Sequence, residues 1–577
     1  MKYLYILIFY FIFNSVLAET DAGKLLNEIE RNQKNIEKLQ QFELPEEKQE
    51  DIIIEDVDDV DTFVVEKFIY QGNTLVTEEQ LNKIFNPFLN KDISFADLKL
   101  ALDEISILYE DLGLVGIGRL PSQDITEKEL IIEIIEAKFG SVEFEILDES
   151  IVYNLNPYIV ESIILNKNKP GTALNTKKLD EALLIASDLD GILVNQSLKP
   201  GKNPGETDTY VRIINQPKYS GLITYDNFGS NTTGHKRTLI NNSFLSPTGI
   251  GDRLDLSILK TDEEYLKTNG SRYLSVNYQR PINYSGTKVS LNSSVLKYMV
   301  IEGDTKGQDL NGGSFSTKFD LTHPMIRSRT TTLRGNFGLE KKHFYNKQKD
   351  DFSSEYNTYN FFIGSNFEQN TNFIFGGVLS GFITTNFGYN DYTNSIQSFK
   401  DTKNFEKSEN EHVKLNLNLN YTQFFNDSIT GIFKLNSQIS ESNLDSSQKL
   451  YLGGAEGVRA YPSSEGSGDN GILINNEIYM DINNNLTLGA FYDYGRVQQY
   501  VHNTPNSTTG LSLSGTNQNI YSLHGYGIKL DYNLKNLSAN LTVAERLNKN
   551  PIRSAANLDS NGDVSRTQAW FQLNLSY

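Results

Sequence analysis

The chain has 577 residues, with 53 Lys and Arg against 73 Asp and Glu, which gives a formal net charge of −20. That balance argues against a protein that coats nucleic acid, because phosphate binding requires clustered cations. Cysteine is absent, which excludes disulfides, thiolate metal sites and cysteine nucleophiles. A mean hydropathy of −0.42 is too polar for a bundle of membrane helices, but it leaves open a membrane barrel, whose alternating strands average to polar.

Residues 1–18 have the pattern of an export signal. A basic start precedes an apolar run over residues 3–13, and Val16 and Ala18 supply suitable side chains at the −3 and −1 positions of a cut before Glu19. A membrane anchor is disfavoured because a spanning helix needs about 20 apolar residues. The mature chain is therefore predicted to begin near Glu19.

Two polar segments follow the signal. Residues 21–41 carry a thin apolar stripe, which predicts a helix with a narrow contact face that is either a solvated spacer or seated in a wet cavity. The stripe consists of Leu25, Ile29, Ile36 and Leu39. Residues 45–61 are acidic, and a self-repelling linker is favoured over a calcium site because the acids lack the glycine turn of a calcium loop.

Strand and helix periodicities then occur twice in the same order. Residues 62–138 predict strand, helix, helix, strand and strand, with strands over 63–70, 114–120 and 129–136, and residues 139–216 repeat that order. Each unit is long enough for one small α/β layer.

Beyond Pro217 the helical periodicity disappears, and apolar and polar side chains alternate over roughly 360 residues. Val413 and Leu415, for example, interleave with Lys414 and Asn416. A soluble sandwich would bury its apolar face against a second sheet and rarely runs this long. Transmembrane strands need about 9–11 residues and occur in even numbers, so sixteen strands fit this length. The alternation predicts a transmembrane β-barrel.

Two motifs within this region carry a family resemblance. They are Gly453-Gly454 with Gly457-Val458-Arg459-Ala460-Tyr461, and Phe491-Tyr492-Asp493-Tyr494-Gly495. The chain resembles the outer-membrane transporters of two-partner secretion, of the hemolysin secretion/activation type, whose motifs are V-R-G-[YF] and F-x-D-x-G. The likeness covers essentially the whole mature sequence. Ala460 replaces the usual glycine and leaves the arginine in place.

The resemblance implies a mainly β protein: a 16-stranded antiparallel transmembrane β-barrel preceded by two α/β POTRA domains and an N-terminal plug helix. The expected divisions are a signal peptide (1–18), the plug helix (19–44), an acidic linker (45–61), POTRA domain 1 (62–138), POTRA domain 2 (139–216) and the barrel (217–577).

In this family the motif arginine, on a loop folded into the barrel, pairs with the motif aspartate on the inner wall. The resemblance thus assigns a loop–barrel lock to Arg459 and Asp493. Alternation supports the assignment, because Tyr492 and Tyr494 share the predicted lipid face and Asp493 falls on the other. Water in the lumen is expected to screen the pair. The neighbours in the lock motif are Gly457, Val458, Tyr461, Phe491 and Gly495.

The resemblance also implies a capture site for an exported partner. An exposed sheet edge in POTRA domain 1 can add a strand of the partner's N-terminal secretion domain, since strand addition supplies backbone hydrogen bonds. The candidate edge residues are Leu114, Val115, Gly116, Ile117, Gly118, Arg119 and Leu120. Outer-membrane lipid and, during biogenesis, the barrel assembly machinery are the other expected partners. No nucleic acid is expected.

The function implied is export of a large β-helical adhesin or hemolysin-like partner, with activation as an additional role, from periplasm to cell surface across a Gram-negative outer membrane. The POTRA domains would lie in the periplasm. A barrel insertase of the same superfamily is the first alternative, although such proteins usually carry more POTRA domains and lack the plug. A passive porin is the second, and it predicts steady conductance that does not depend on Arg459.

Signals for catalysis or cofactors are weak, so the sequence predicts no enzyme, no catalytic residues, no cofactor and no metal. The G-x-G-x-x-G pattern at residues 466–471 is not followed by a helix. Asp559, Asn561 and Asp563 lack the glycine position and the final glutamate of a calcium loop, and the six histidines are scattered.

Overall fold

The computed structural model describes residues 21–39, 62–123, 126–145, 152–261, 269–303, 307–373, 375–400, 410–502, 519–551, 558–559 and 564–577. The predicted signal peptide and acidic linker lie outside these residues. The first described element is helix α1 (Ala22–Leu39). Among the described helices, none has the length and apolar character needed to cross a membrane.

The first α/β unit contains five strands and two helices in the order β1 (Thr62–Val64), β2 (Lys67–Gln71), α2 (Glu78–Phe85), β3 (Asp92–Ser94), α3 (Phe95–Asp111), β4 (Gly116–Arg119) and β5 (Glu129–Glu136). Its main sheet has the order β2-β5-β4, with β2 parallel and β4 antiparallel to β5. Helix α3 begins at a capping box, in which the hydroxyl and backbone of Ser94 exchange hydrogen bonds with Asp97. Its buried face covers the sheet through Leu98, Ile105 and Tyr109.

Two sequence predictions for this unit are wrong in detail. The predicted strand over 63–70 is interrupted, because β1 pairs with β3 whereas β2 pairs with β5, so the chain changes partner near Glu66, whose backbone N–H bonds the carbonyl of Lys128. The predicted strand over 114–120 is shorter, since Leu114 bridges to Asn175 of the second unit instead.

The second unit repeats the architecture without the extra strand pair. Its order is β6 (Lys138–Phe144), α4 (Pro157–Lys167), α5 (Thr176–Ser187), β7 (Ile192–Pro200) and β8 (Glu206–Asn215), and the sheet order is β6-β8-β7. Its core contains Phe139, Ile164, Leu179 and Ile192. Asn156 is the N-cap of helix α4: its side chain accepts a hydrogen bond from the N–H of Tyr158, and Pro157 occupies the first helical position.

Sixteen antiparallel strands close into a barrel, as the sequence predicts. They are β9 (Tyr219–Asp226), β10 (Arg237–Leu245), β11 (Arg253–Thr261), β12 (Gly270–Pro281), β13 (Lys288–Met299), β14 (Leu310–Arg327), β15 (Thr331–Gln348), β16 (Asp351–Thr371), β17 (Gly377–Asp391), β18 (Asn410–Asn426), β19 (Ile429–Ser440), β22 (Asn470–Asn483), β23 (Leu486–Gln498), β24 (Ile520–Leu534), β25 (Leu537–Arg546) and β26 (Thr567–Ser576). Two further short strands, β20 (Leu450–Tyr451) and β21 (Ser467–Gly468), form a hairpin between β19 and β22.

The two parities of the alternating sequence form the inner and the outer wall of the barrel. Polar side chains of one parity bond to one another across the inner wall, as where the amide of Asn416 donates to Gln438 at 2.9 Å. Apolar side chains of the other parity remain exposed on the outer wall, as at Ile383 and Phe387. The barrel closes where β26 pairs with β9, with Gln572 opposite Asp226.

Ion pairs join the second α/β unit to the barrel. Asp188, just after α5, accepts from Arg327 at 2.9 Å and from Arg334 at 3.3 Å, both on neighbouring strands β14 and β15. The lysine that begins β13, Lys288, donates to the backbone carbonyl of Asp188. These contacts fix which end of the barrel faces the α/β units.

Candidate functional site

The connection between β19 and β22, residues 441–469, folds into the barrel instead of extending away from it. Its hairpin β20–β21 brackets a compact turn in which Leu452, Val458 and Tyr461 are fully or nearly fully buried. These side chains share an apolar cluster with Leu473 and Leu523 of the inner wall. The loop is therefore packed against the wall as a structured element.

Arg459 lies on this loop and contacts Asp493 of β23. Its Nη2 donates to Oδ1 at 2.7 Å, and its Nε donates to Oδ2 at 2.9 Å, so the guanidinium engages both carboxylate oxygens. The backbone N–H of Arg459 also donates to Asp493 Oδ2 at 3.0 Å. The ring of Phe491 lies beneath the guanidinium, with 3.5 Å between the ring centroid and Cζ. Planar, two-point contact of this kind fixes orientation as well as distance.

Two further side chains complete the contact, and sequence reasoning missed both. Glu477 of β22 forms an ion pair with Arg459, with 3.0 Å between Oε1 and Nη2. Asn475 donates to Asp493 Oδ1 at 2.7 Å and to the carbonyl of Gly457 at 2.9 Å. One cation is thus held between two carboxylates, and an amide connects the loop backbone to the wall.

The expectation that water screens this pair is wrong. Asp493 is 0% exposed and Arg459 is 6% exposed, because the loop that carries the arginine also covers the aspartate. In such surroundings the attraction is stronger than at a wet surface, and loss of either partner leaves an uncompensated buried charge.

The remaining motif residues pack around the pair. Gly457 has no room for a side chain, since a Cβ there would lie 1.9 Å from the carbonyl oxygen of Leu452. Gly495 faces Leu452 and Val458, and a Cβ there would approach them to 2.8 Å and 3.1 Å. Gly457 therefore permits the tight turn within the loop, and Gly495 permits the loop to lie against the wall.

Ala460, where the family motif has glycine, meets a glycine on the wall. A Cβ at Gly525 of β24 would lie 2.4 Å from the methyl group of Ala460. The extra methyl on the loop is accommodated by the absence of a side chain on the opposing strand. The two positions are complementary in volume.

Tyr461 and Trp570 fix the other side of the loop. Tyr461 donates to Asn548 Oδ1 at 2.7 Å, and the guanidinium of Arg546 lies 4.7 Å from its ring. Arg546 in turn bonds Asp559 at 2.6 Å. Trp570 Nε1 donates to the carbonyl of Arg459 at 2.7 Å. Trp570 is the one tryptophan of the chain, and its inward parity on an alternating strand was a signal that sequence reasoning did not use.

Helix α1 packs against the inner wall and against the same loop. The buried stripe is wider than predicted, because Leu26 joins Leu25 and Ile29 in a cluster that includes Leu296 and Phe344 of the wall. This answers the question that the sequence left open, since the helix lies in the barrel cavity and is not a free spacer. The side chains of residues 34–39, which include two of the predicted stripe, lie outside what the structure describes.

Polar side chains of α1 bond the loop and the wall. Arg31 donates to the carbonyls of Tyr451 at 3.0 Å and Gly453 at 3.1 Å. Glu28 accepts from Ser464 at 2.8 Å. On the wall, Lys342 pairs with Glu30 at 2.9 Å. A second set of contacts thus couples the helix to the loop that carries Arg459.

The predicted capture strand lies at a sheet edge. β4 pairs only with β5 in its sheet, and Ile117 on it is 50% exposed. The neighbouring helix α3 exposes Leu100 and Ile107, one above the other on its outer face. Of the predicted residues, Gly116, Ile117, Gly118 and Arg119 are in the strand, while Leu114, Val115 and Leu120 flank it.

Glu136 is the last residue of β5 and lies opposite Gly116 of β4. Burial opposes its ionisation, but hydrogen bonds from Thr74, Leu75 and Tyr109 lower the pKa of Glu136 below its ordinary value. Burial, together with the hydrogen bond to Glu136, raises the pKa of Tyr109. The contact ties α3 to the strand that pairs with β4.

A family model described as haemolysin secretion/activation protein ShlB/FhaC/HecB matches residues 205–516, more than half of the chain. The chain belongs to this family. A second model, described as POTRA domain, ShlB-type, matches residues 63–137, so the first α/β unit is a POTRA domain.

Individual relatives agree with the family. The chain is 24% identical over 485 residues to the heme/hemopexin transporter protein HuxB of Haemophilus influenzae, covering 83% of this chain and 82% of HuxB. It is 21% identical over 462 residues to the outer membrane transporter CdiB of Dickeya dadantii, covering 78% and 79%. The solved CdiB of Escherichia coli superposes with a TM-score of 0.72 at 17% identity, covering 98% of this chain and all of that one. The protein is an outer-membrane transporter of the two-partner secretion type, with its POTRA domains on the periplasmic side.

Proposed function

We propose that this transporter exports one large β-helical adhesin or hemolysin-like partner through its barrel, and that the lumen is closed at rest by α1 and by the loop that carries Arg459. The observation that carries the proposal is how these two segments are held. Both lie inside the barrel and contact the wall mainly through side chains, without adding strands to its ladder. Side-chain contacts can be exchanged without opening the barrel. Activation of the partner during passage is part of the same proposal.

In this scheme the Arg459–Asp493 contact is the lock. It holds the loop in place until the partner enters, and Gly457, Val458, Tyr461, Phe491 and Gly495 shape its seat. The contacts between Arg31 and the loop make withdrawal of α1 and release of the loop coupled events. Residues 45–61 would serve as the tether that lets α1 leave, after signal removal near Glu19.

We propose further that the partner's N-terminal secretion domain is captured at the edge of POTRA domain 1. The exposed Ile117 and the apolar face of Leu100 and Ile107 offer side-chain contacts beside free backbone groups. The scheme contains no enzymatic step. Folding of the partner outside the cell would make export directional. Insertion by the barrel assembly machinery and contact with outer-membrane lipid complete the proposed partners.

Removal of the plug tests the resting state. Deletion of residues 19–44 behind an intact signal should raise single-channel conductance in planar bilayers, because the cavity space filled by α1 becomes continuous with water. A Leu26→Asp variant, which places a charge in the buried stripe, should act in the same direction. Unchanged conductance in both variants would refute the plug role.

A matched pair of variants tests capture. Ile117→Asp lies on the edge strand of POTRA domain 1, and Leu198→Asp lies at an exposed position of the edge strand β7 in the second unit, where Leu198 is 42% exposed. The first variant should reduce secretion of the partner at least tenfold, whereas the second should leave it near the wild-type level. Equal effects of the two would contradict capture at β4.

A barrel insertase is the second candidate, because the BamA of Haemophilus ducreyi superposes with a TM-score of 0.51 at 12% identity, which is a likeness of fold alone. Depletion of the protein separates the two functions. An insertase predicts falling levels of other outer-membrane barrels, whereas the transporter predicts loss of one secreted partner only.

A further inference from the structure

A row of three cations crosses the outer wall of the barrel. Lys260 on β11, Arg272 on β12 and Lys297 on β13 stand directly opposite one another in the strand register. All three have the parity of the outward face, and Arg272 and Lys297 are exposed. Like charges in register destabilise a sheet, and this chain is acidic as a whole, so the row needs an explanation.

The level of the row in the membrane follows from its neighbours. The next outward-facing residues on the POTRA side of the cations lie two positions along each strand, roughly 7 Å away. They stand opposite one another and form a continuous exposed apolar row. That row consists of Ile258, Leu274, Val295 and Phe315, which are 51%, 45%, 38% and 50% exposed. Such a row faces hydrocarbon, and the cations therefore stand at its border.

Aromatic residues mark the same level at both ends. On one side of the row, the residue in register two strands from Lys260 is Tyr225 on β9. On the other side, the residue in register two strands from Lys297 is Tyr345 on β15. The Tyr345 ring lies over Gly313, which has no side chain to exclude it. Tyrosines of this kind sit at the head-group level of barrel membrane proteins.

The row lies at the end of the barrel away from the POTRA domains. Arg272 is the third residue of β12, whose other end leads to the turn where Ser285 accepts from Asn166 of the second α/β unit. The cations therefore face the outer leaflet. Among the residues that the structure describes, neither Arg272 nor Lys297 has a hydrogen bond or an ion pair with another side chain.

We propose that this row is a binding site for a phosphorylated glycolipid of the outer leaflet, with Arg272 and Lys297 as its phosphate ligands. Arg272 and Lys297 lie opposite each other on adjacent strands, which are about 5 Å apart, so both can contact one phosphorylated head group. A guanidinium binds phosphate at two points, and an ammonium binds it as a compact charge. The acyl chains would lie along the exposed apolar row. The proposal rests on the orientation of the barrel in the membrane and not on the lock or the plug.

The competing explanation is internal neutralisation. The sequence that joins β11 and β12 contains Asp262, Glu263 and Glu264. If these carboxylates satisfy the row, the protein needs no lipid there and should bind none in preference to a protein without the row.

The test uses the full chain in detergent, titrated with a bisphosphorylated acylated glucosamine disaccharide and observed by native mass spectrometry. Arg272→Gln/Lys297→Gln should weaken binding about thirtyfold, from roughly five- to sixfold for each cation removed near a membrane surface. Arg280→Gln is the matched control, since Arg280 is exposed on the outward face of the same strand at its periplasmic end. It should bind as the wild type does.

Three further measurements separate binding of the phosphorylated lipid from binding of a simple anion and from loss of folding. The dephosphorylated glycolipid should bind the wild type as weakly as the intact lipid binds the double variant. Inorganic phosphate at millimolar concentration should not displace the lipid, because the site lies at the border of an apolar surface. Arg272→Lys, which keeps the charge and guards against loss of folding, should stay within about threefold of the wild type.

Equal binding by the wild type and the double variant, or an equal loss in Arg280→Gln, would overturn the proposal. Displacement by inorganic phosphate alone would overturn it as well, since it would indicate a simple anion site. Secretion of the partner, measured in the same variants, reports separately on the export function.

Discussion

The arrangement of one arginine between two carboxylates predicts unequal effects for the two halves of the lock. Arg459→Ala leaves Asp493 and Glu477 both buried with the shared cation removed, and among the described residues Glu477 then keeps an ion pair with Lys434 at 3.4 Å and a weaker attraction to Lys529. Asp493→Ala leaves a simple pair of Arg459 and Glu477 at 3.0 Å. A pair in isolation would instead be equally sensitive to loss of either partner.

Removal of one member of a buried ion pair costs about 3–5 kcal/mol. We assign about 5 kcal/mol to Arg459→Ala, because it removes the shared cation from two buried carboxylates. We assign about 3 kcal/mol to Asp493→Ala, because Arg459 and Glu477 remain paired. The difference of about 2 kcal/mol corresponds to a factor of roughly thirty in the fraction of time that the loop is undocked. Because the loop is proposed to close the channel, open probability should follow the same order.

Open probability in planar bilayers is the measurement, and heat-modifiable gel migration confirms that each barrel has assembled. Arg496→Ala is the control, since Arg496 is an exposed arginine on the outer face of the same strand as Asp493. The double variant Arg459→Ala/Asp493→Ala should open less often than the sum of the single effects predicts, because the two residues interact. An Asp493→Ala channel that opens as often as Arg459→Ala, or more often, would refute the charge argument.

Three other predictions concern packing, the joint and pH. Gly525→Ala should push the loop from the wall and raise channel opening, since the new methyl would lie 2.4 Å from that of Ala460, and adding Ala460→Gly to the same chain should restore closure. Asp188→Ala should increase hydrogen exchange at the end of α5, because Arg327 and Arg334 lose the carboxylate that they share. Unchanged exchange would show that these ion pairs do not hold the second α/β unit against the barrel. The lowered pKa of Glu136 means that its ionised form stabilises POTRA domain 1 above the unfolded-state value near 4.5, and that this contribution is lost as pH falls through the lower folded-state value. Glu136→Gln should therefore flatten the loss of protease resistance of that domain between about pH 5 and pH 3, whereas an identical pH profile in both proteins would contradict the assignment.

Much of the fold was predictable because it is local in sequence. Alternation along single strands is a property of neighbouring residues, so it predicted the barrel and the lumen side of Asp493 without knowledge of any partner strand. The helices of the two α/β units followed in the same way from their periodicity. The Arg459–Asp493 contact was reached through motif resemblance, since the two residues are 34 positions apart and belong to different elements.

The partners that were missed depend on register. Asn475 stands opposite Asp493, but the β22–β23 pairing shifts by one residue between Asp481 and Asn483, close to the turn. Counting outward from the turn would have placed Asn476 opposite Asp493, with its side chain on the wrong face. Because of this single bulge, the sequence alone does not show that Asn475 and Glu477 lie beside Asp493.

The way in which the barrel closes constrains the order of its assembly. The strand that starts the cylinder, β9, finds its second neighbour only in β26, roughly 350 residues further along the chain. Every shorter stretch of the nascent polypeptide therefore ends in two unsatisfied edges, and no self-sufficient intermediate with fewer strands can be released into the lipid. Closure of the barrel is thus expected only after the last strand, β26, has become available.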